Sequence, residues 1–197
     1  MSPTVAIFGG SFDPVHAAHL EVARRARDQI PCDEVWFLPA ARAVHKPSGA
    51  HASAADRRAM LELAVEGERG LVICDLELDH GKPRRSVESL TELAARWPDH
   101  RWWFVLGEDS FRELDRWYRP EDLFRIAHPV VAPRPGSRGE RTSIWRGHEV
   151  RWLSGGEIDL DSTALRRALS RGGNPEGLDS RVLGYIREHG LYREQQG

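Results

Sequence analysis

Val5-Ala-Ile-Phe-Gly-Gly-Ser-Phe-Asp-Pro-Val-His-Ala-Ala-His-Leu20 is the stretch on which the reading of this chain turns. Val5 to Phe8 is a compact apolar run that reads as a strand, and Gly9-Gly10 ends it. From about Ala17 to Ile30 apolar or small residues recur at 20, 22, 23, 26 and 30, the period of a helix. The loop between them is not the dinucleotide fingerprint, and no G-x-x-x-x-G-K-[ST] pattern occurs in the chain. It offers glycines that let backbone approach a ligand, then His16 and His19 one helical turn apart at a positive helix terminus. That combination reads as an anion site with two adjustable donors.

Outward from this unit the alternation continues. Glu34 to Pro39 reads as a strand, Ala54 to Val65 as a helix behind a capping Ser53, and Leu71 to Leu76 as a third strand. Ser86 to Trp97 is helical in pattern, Arg101 to Leu106 a fourth strand and His128 to Ala132 a fifth. A Pro/Gly/Arg loop at 133–148, suited to a lid or a subunit contact, leads to a strand at Glu149 to Leu153 and helices at roughly 161–171 and 178–188. Strands alternating with helices imply parallel pairing, so the expected fold is a Rossmann-like, doubly wound α/β sheet with C-terminal helices. A single domain over 1–197 is expected, its helical C-terminal part at about 160–192. In such sheets ligands bind beyond the carboxyl ends of the strands, which is where the unusual loops fall.

Composition narrows the function. The chain of 197 residues is 40% apolar, with 28 basic and 30 acidic side chains and a net charge of -2, which argues against a nucleic-acid binder. No apolar run suggests a membrane span, and Met1-Ser-Pro-Thr lacks the basic start and long apolar stretch of a secretion signal, so a cytoplasmic protein is expected. Cys32 and Cys74 have no paired spacing that would suggest a disulfide framework or a thiolate metal site. Two histidines three apart without a third ligand do not suggest zinc either. Only Lys46 and Lys82 are lysine, every other basic residue being arginine, which makes Lys46 stand out. A compact ammonium on a flexible stem differs physically from a planar fork.

The segment Gly9 to His19 resembles the signature of the nucleotidylyltransferase superfamily: strand, G-x-F-D-P-x-H-x-G-H, helix. Later loops resemble the bacterial nicotinate mononucleotide adenylyltransferases: Pro39 to Lys46 with its His45-Lys46 pair, Gly107-Glu-Asp109-Ser110 followed by Trp117, and Arg134-Pro-Gly136. So do Leu160-Asp-Ser-Thr-Ala-Leu-Arg166 and Val182 to Tyr192, so the resemblance runs in order from residue 5 to 192. It implies transfer of the adenylyl group of ATP to nicotinate mononucleotide, giving nicotinate adenine dinucleotide and pyrophosphate, with Mg2+ held mainly by the phosphates and no protein metal cage.

Such a transfer needs no covalent nucleophile, because a mononucleotide 5'-phosphate is already an anion able to attack. The protein must align the reactants and stabilise developing charge. The resemblance implies that His16 contacts the α-phosphate and His19 the phosphates of ATP. Lys46, Ser162, Thr163 and Arg166 would hold the triphosphate and the leaving pyrophosphate. By the same resemblance Gly9, Gly10, Ser11, Phe12 and Arg134 would belong to the ATP site, and Gly107 and Asp109 would lie against adenosine. Trp117 would stack on the pyridine ring beside Arg85 and Ser86. Packing in the core is the alternative for Trp117, as it is for Trp36, Trp102, Trp103 and Trp152.

Three departures stand against the family pattern. Ala18 replaces the glycine of H-x-G-H, Asp161 replaces the first serine of Ser-Ser-Thr, and Arg85 replaces a tyrosine. Asp161 can cap the following helix but opposes a triphosphate. Arg85 can pair with a nicotinate carboxylate or simply face solvent. An amide-preferring adenylyltransferase, a phosphopantetheine adenylyltransferase and a nucleotide-binding protein without turnover are the competing readings. A homo-oligomer is left open.

Overall fold

The computed structural model describes residues 2–41, 51–134, 136, 141–155 and 160–193. Its central strand, β1 (Thr4–Gly10), buries Val5, Ala6, Ile7 and Phe8 alike, as a strand covered on both faces must. β2 (Glu34–Pro39) and β4 (Arg101–Gly107) flank it in parallel, with Ile7 opposite both Trp36 and Phe104. β3 (Leu71–Ile73), β5 (Ala127–Ala132) and β8 (Arg151–Trp152) complete a parallel sheet in the order β3-β2-β1-β4-β5-β8.

Side-chain alternation along β1 splits the core in two. Ala6 and Phe8 pack beneath α1 (Ala17–Gln29), α2 (Ala54–Val65), α7 (Ser162–Ser170) and α8 (Ser180–Glu188), with Ala23, Met60, Leu169 and Ile186. Val5 and Ile7 face the opposite layer of α3 (Leu76–His80), α4 (Ser86–Arg96), α5 (Glu108–Arg112) and α6 (Pro120–Ile126), with Leu90, Phe104, Phe111 and Leu123. This is the expected doubly wound α/β architecture, and it brings the loops after β1, β4 and β5 to one edge.

Three expectations need correction. The strand expected over 71–76 ends at Ile73; among the described residues it is an edge strand paired only with β2, and Leu76 instead begins α3, burying its side chain in the second core. The strand expected over 149–153 contributes only β8 to the sheet. His148–Glu149 (β7) pairs antiparallel with Ile144–Trp145 (β6), inside the span expected to be loop. Arg146 and Gly147 both have positive φ, the geometry that lets a two-residue turn follow the strand twist. Finally α5 and α6 were not foreseen, being too short for a helical period to register.

Candidate active site

The loop after β1 is held from behind by its carbonyls. Arg57 Nη1 donates to Ser11 O at 2.8 Å, Arg166 Nη1 to Asp13 O at 2.7 Å and the Ser162 hydroxyl to Pro14 O at 3.2 Å. The Asp13 carboxylate is wholly buried and accepts from His51 N, Ala52 N and the Tyr192 hydroxyl. Gly10 is needed sterically, since a Cβ there would meet the Phe12 ring at 2.9 Å. Phe12 has a φ of 49° and is 1% exposed, its ring against Phe8, Phe37 and the edge of His19. Phe12, expected in the ATP site, therefore has its side chain packed in the core.

His16 caps α1 and is 5% exposed, its ring centroid 3.8 Å from that of His19. Burial, opposed by the Asp161 carboxylate, pushes its pKa down to about 4, so His16 is neutral at pH 7. Its buried Nδ1 has no partner among the described residues. The His16 backbone N–H donates to His19 Nδ1 at 3.3 Å, which assigns the proton of a neutral His19 to Nε2.

The N-terminus of α7 faces these rings. Asp161 caps it, accepting from Thr163 N at 2.6 Å, and the bonds from Thr163 and Ala164 outweigh burial and hold the carboxyl below its usual range. The Thr163 amide in the first turn of α7 is thus already bonded. Arg166 shares its guanidinium between Asp13 O and, through Nη2, the Thr163 hydroxyl at 3.2 Å. Both acceptors are neutral.

The opposite wall comes from the ends of β4 and β5. Glu108, 2% exposed, accepts from Arg112 at 2.6 Å and from the Arg134 backbone N–H at 3.0 Å, and Arg134 in turn pairs with Asp109. A Cβ on Gly107 would meet no protein atom within 4 Å, so the space beside it is open. Gly9, His16, Ala18, His19, Gly107, Asp109, Arg134, Asp161, Ser162 and Thr163 all line one cleft of ≈ 370 Å³.

Other expected residues lie apart. Arg166 lines an adjoining cavity that shares Thr163. Trp117 packs half-buried against the second core, its ring edge-on to Phe104 at 6.3 Å, while Arg85 lies 4.0 Å over the Tyr118 ring and Ser86 opens α4. Phe104 in turn approaches the Cβ position of Gly9, which relates this group to the cleft across the sheet. Lys46 and its neighbour His45 fall outside the described residues.

Sequence reasoning missed Glu108, Asp13, Tyr192 and Arg57. Arg57 is 1% exposed, and besides Ser11 O it donates to Ala41 O at 3.2 Å, joining the loops after β1 and β2. A signal existed: Arg57, Met60, Leu61 and Ala64 form the buried stripe of α2, and a charge on an apolar stripe asks for partners.

The family described as cytidylyltransferase-like matches residues 7–168. A Synechococcus protein named "probable nicotinate-nucleotide adenylyltransferase" is 36% identical over 195 residues, 95% of this chain and 94% of its own. One of the same name from Laribacter hongkongensis is 39% identical, over 98% and 97% respectively. A solved nicotinic acid mononucleotide adenylyltransferase of Plasmodium falciparum, complexed with NaAD, overlays with a TM-score of 0.83 at 19% identity over 96% of this chain and 97% of that one, a likeness of fold. Cleft, topology and relatives agree: this chain belongs to the nicotinate-nucleotide adenylyltransferase family.

Proposed function

We propose that this enzyme transfers the adenylyl group of ATP to nicotinate mononucleotide, forming nicotinate adenine dinucleotide and pyrophosphate in NAD biosynthesis. The observation that carries the reading is the convergence of two adjoining imidazoles and the α7 N-terminus on one cleft whose far wall is Gly107, Asp109 and Arg134. Adenosine lies along that far wall, with Asp109 accepting from ribose hydroxyls. The α-phosphate lies at His16 and His19, and the β- and γ-phosphates run past Ser162 and Thr163 towards Arg166 and Lys46. A 5'-phosphate oxygen of the mononucleotide attacks the α-phosphorus. The bond to the bridging oxygen breaks, and pyrophosphate leaves with the electron pair.

His16, neutral at pH 7 in the ligand-free fold, is placed to supply a hydrogen bond. Compensation of the developing charge falls to Arg166, Arg134 and Lys46. The carboxylates in the cleft are already engaged, Asp109 with Arg134 and Asp161 with Thr163 N, and among the described residues no three His, Cys, Asp or Glu side chains are grouped to hold a metal. Mg2+ would enter with ATP as the MgATP substrate, held mainly by phosphate oxygens. Trp117, Ser86 and Arg85 serve the mononucleotide, the Arg85 guanidinium over Tyr118 favouring a pyridine carboxylate over an amide.

A panel of nicotinate mononucleotide, nicotinamide mononucleotide and phosphopantetheine with ATP tests this through pyrophosphate release. The acid is expected to be preferred, and Arg85→Ala to reduce that preference about tenfold. Preference for another acceptor overturns the assignment, and an unchanged preference in the variant removes Arg85 from it. Asp161 on the α7 amides favours one competitor, a nucleotide binder without turnover. ATP binding with no release from any acceptor would leave that reading standing.

A further inference from the structure

Burying a carboxylate is costly unless its charge and its oxygens are both met, so each buried one asks what it is buried for. Asp13 holds the loop after β1, and Glu77 accepts from the Ser89 hydroxyl at 2.7 Å; neither is among the residues lining the cleft. Glu108 lines the cleft itself. Its Oε1 accepts from Arg112, one turn along α5, a pair that an exposed glutamate could make equally well. What the inward position adds is Oε2, which accepts from the Arg134 N–H at 3.0 Å, 26 residues away in the chain.

That bond sits where the sheet gives out. β4 and β5 are in register as far as Gly107 with Ala132. Pro133, next along, has no N–H to donate, and the N–H after it goes to Glu108 instead of to a strand. The carboxylate thus extends the β4–β5 clasp into the cleft wall, behind the ion pair of Arg134 with Asp109. That outer pair is 56% and 63% exposed, and such pairs are weak and screened by salt. It can open to a ligand while the buried bond behind it stays closed. We propose that Glu108 is a positioning residue for ATP, holding the Arg134 main chain against the end of β4 while Asp109 and Arg134 exchange each other for ribose hydroxyls and phosphate. The proposal rests on the adenylyl-transfer reading for its ligand and on the Glu108 geometry for the clasp.

Glu108→Met refills the buried space but accepts no hydrogen bond of comparable strength, and is expected to raise KM for ATP about tenfold with KM for nicotinate mononucleotide within twofold. Glu108→Gln keeps an amide oxygen for the Arg134 N–H and is expected to recover most of the loss. An unchanged KM for ATP, equal rises in both KM values, or a Glu108→Gln enzyme as impaired as Glu108→Met overturns the proposal. Hydrogen exchange at the Arg134 amide of the nucleotide-free wild type needs no variant. Protection is expected there, and exchange at the rate of an unfolded chain overturns the proposal even if Glu108→Met fails to fold. Calorimetric titration of the full chain with ATP alone keeps the two readings separable. If no pyrophosphate is released with any acceptor, adenylyl transfer fails, while ATP binding about tenfold weaker in Glu108→Met still supports the clasp and equal binding overturns it.

Discussion

Tyr192 donates its hydroxyl to the Asp13 carboxylate at 2.8 Å, tying the end of the described chain to the loop that carries the histidines. Burial and the adjacent carboxylate push the phenol pKa well above its usual value, so it remains a donor at every working pH. Tyr192→Phe leaves Asp13 with two backbone donors and is expected to cost roughly 1–3 kcal/mol, since the lost bond is to a charged group. That corresponds to a fall of about 2–10 °C in Tm for a chain of this size. Calorimetry checks it; an unchanged Tm would mean that the contact contributes nothing.

The Arg57 guanidinium spans Ser11 O and Ala41 O from inside the protein. Arg57→Met keeps much of the volume and removes the donors, leaving two carbonyls at the base of the site unpaired. A loss of about 2–5 kcal/mol is expected, read as a lower urea midpoint. A shift smaller than about 0.5 kcal/mol would show that water replaces the guanidinium at no cost.

How far the fold could be read from the chain follows from what each element depends on. Val5 to Phe8 and the turn after it depend on local pattern, and the expected strand, turn and helix are present. The 71–76 segment depends on its partner: β2 offers pairing only as far as Ile73, with one further bond from Cys74 N to Phe37 O. Residues facing the nucleotide cleft carried visible signals, being histidines and glycines at strand ends. Those behind it did not, because Asp13, Arg57 and Tyr192 act through contacts 16 to 179 residues apart. Their meaning appears only when the loops are brought together.

His16 links pH to stability. Unfolded, its imidazole takes a proton near the ordinary value of 6.5, whereas in the fold it does so only near 4. Between these values the unfolded state binds more protons, so stability falls as pH falls from about 6.5 to 4. The loss reaches about 3 kcal/mol at the lower end. His16→Gln lacks this proton and is expected to show a flatter stability curve across that window. Parallel curves for wild type and variant would place the acid sensitivity elsewhere.

The central claim is that the α-phosphorus of ATP is the atom transferred. Incubating the enzyme with nicotinate mononucleotide and ATP labelled at either the α- or the γ-phosphate, then separating products, tests it most directly. Adenylyl transfer predicts the α-label in the dinucleotide and the γ-label in pyrophosphate, in equal amounts. An α-label recovered in AMP, or a γ-label transferred to the mononucleotide, would contradict it.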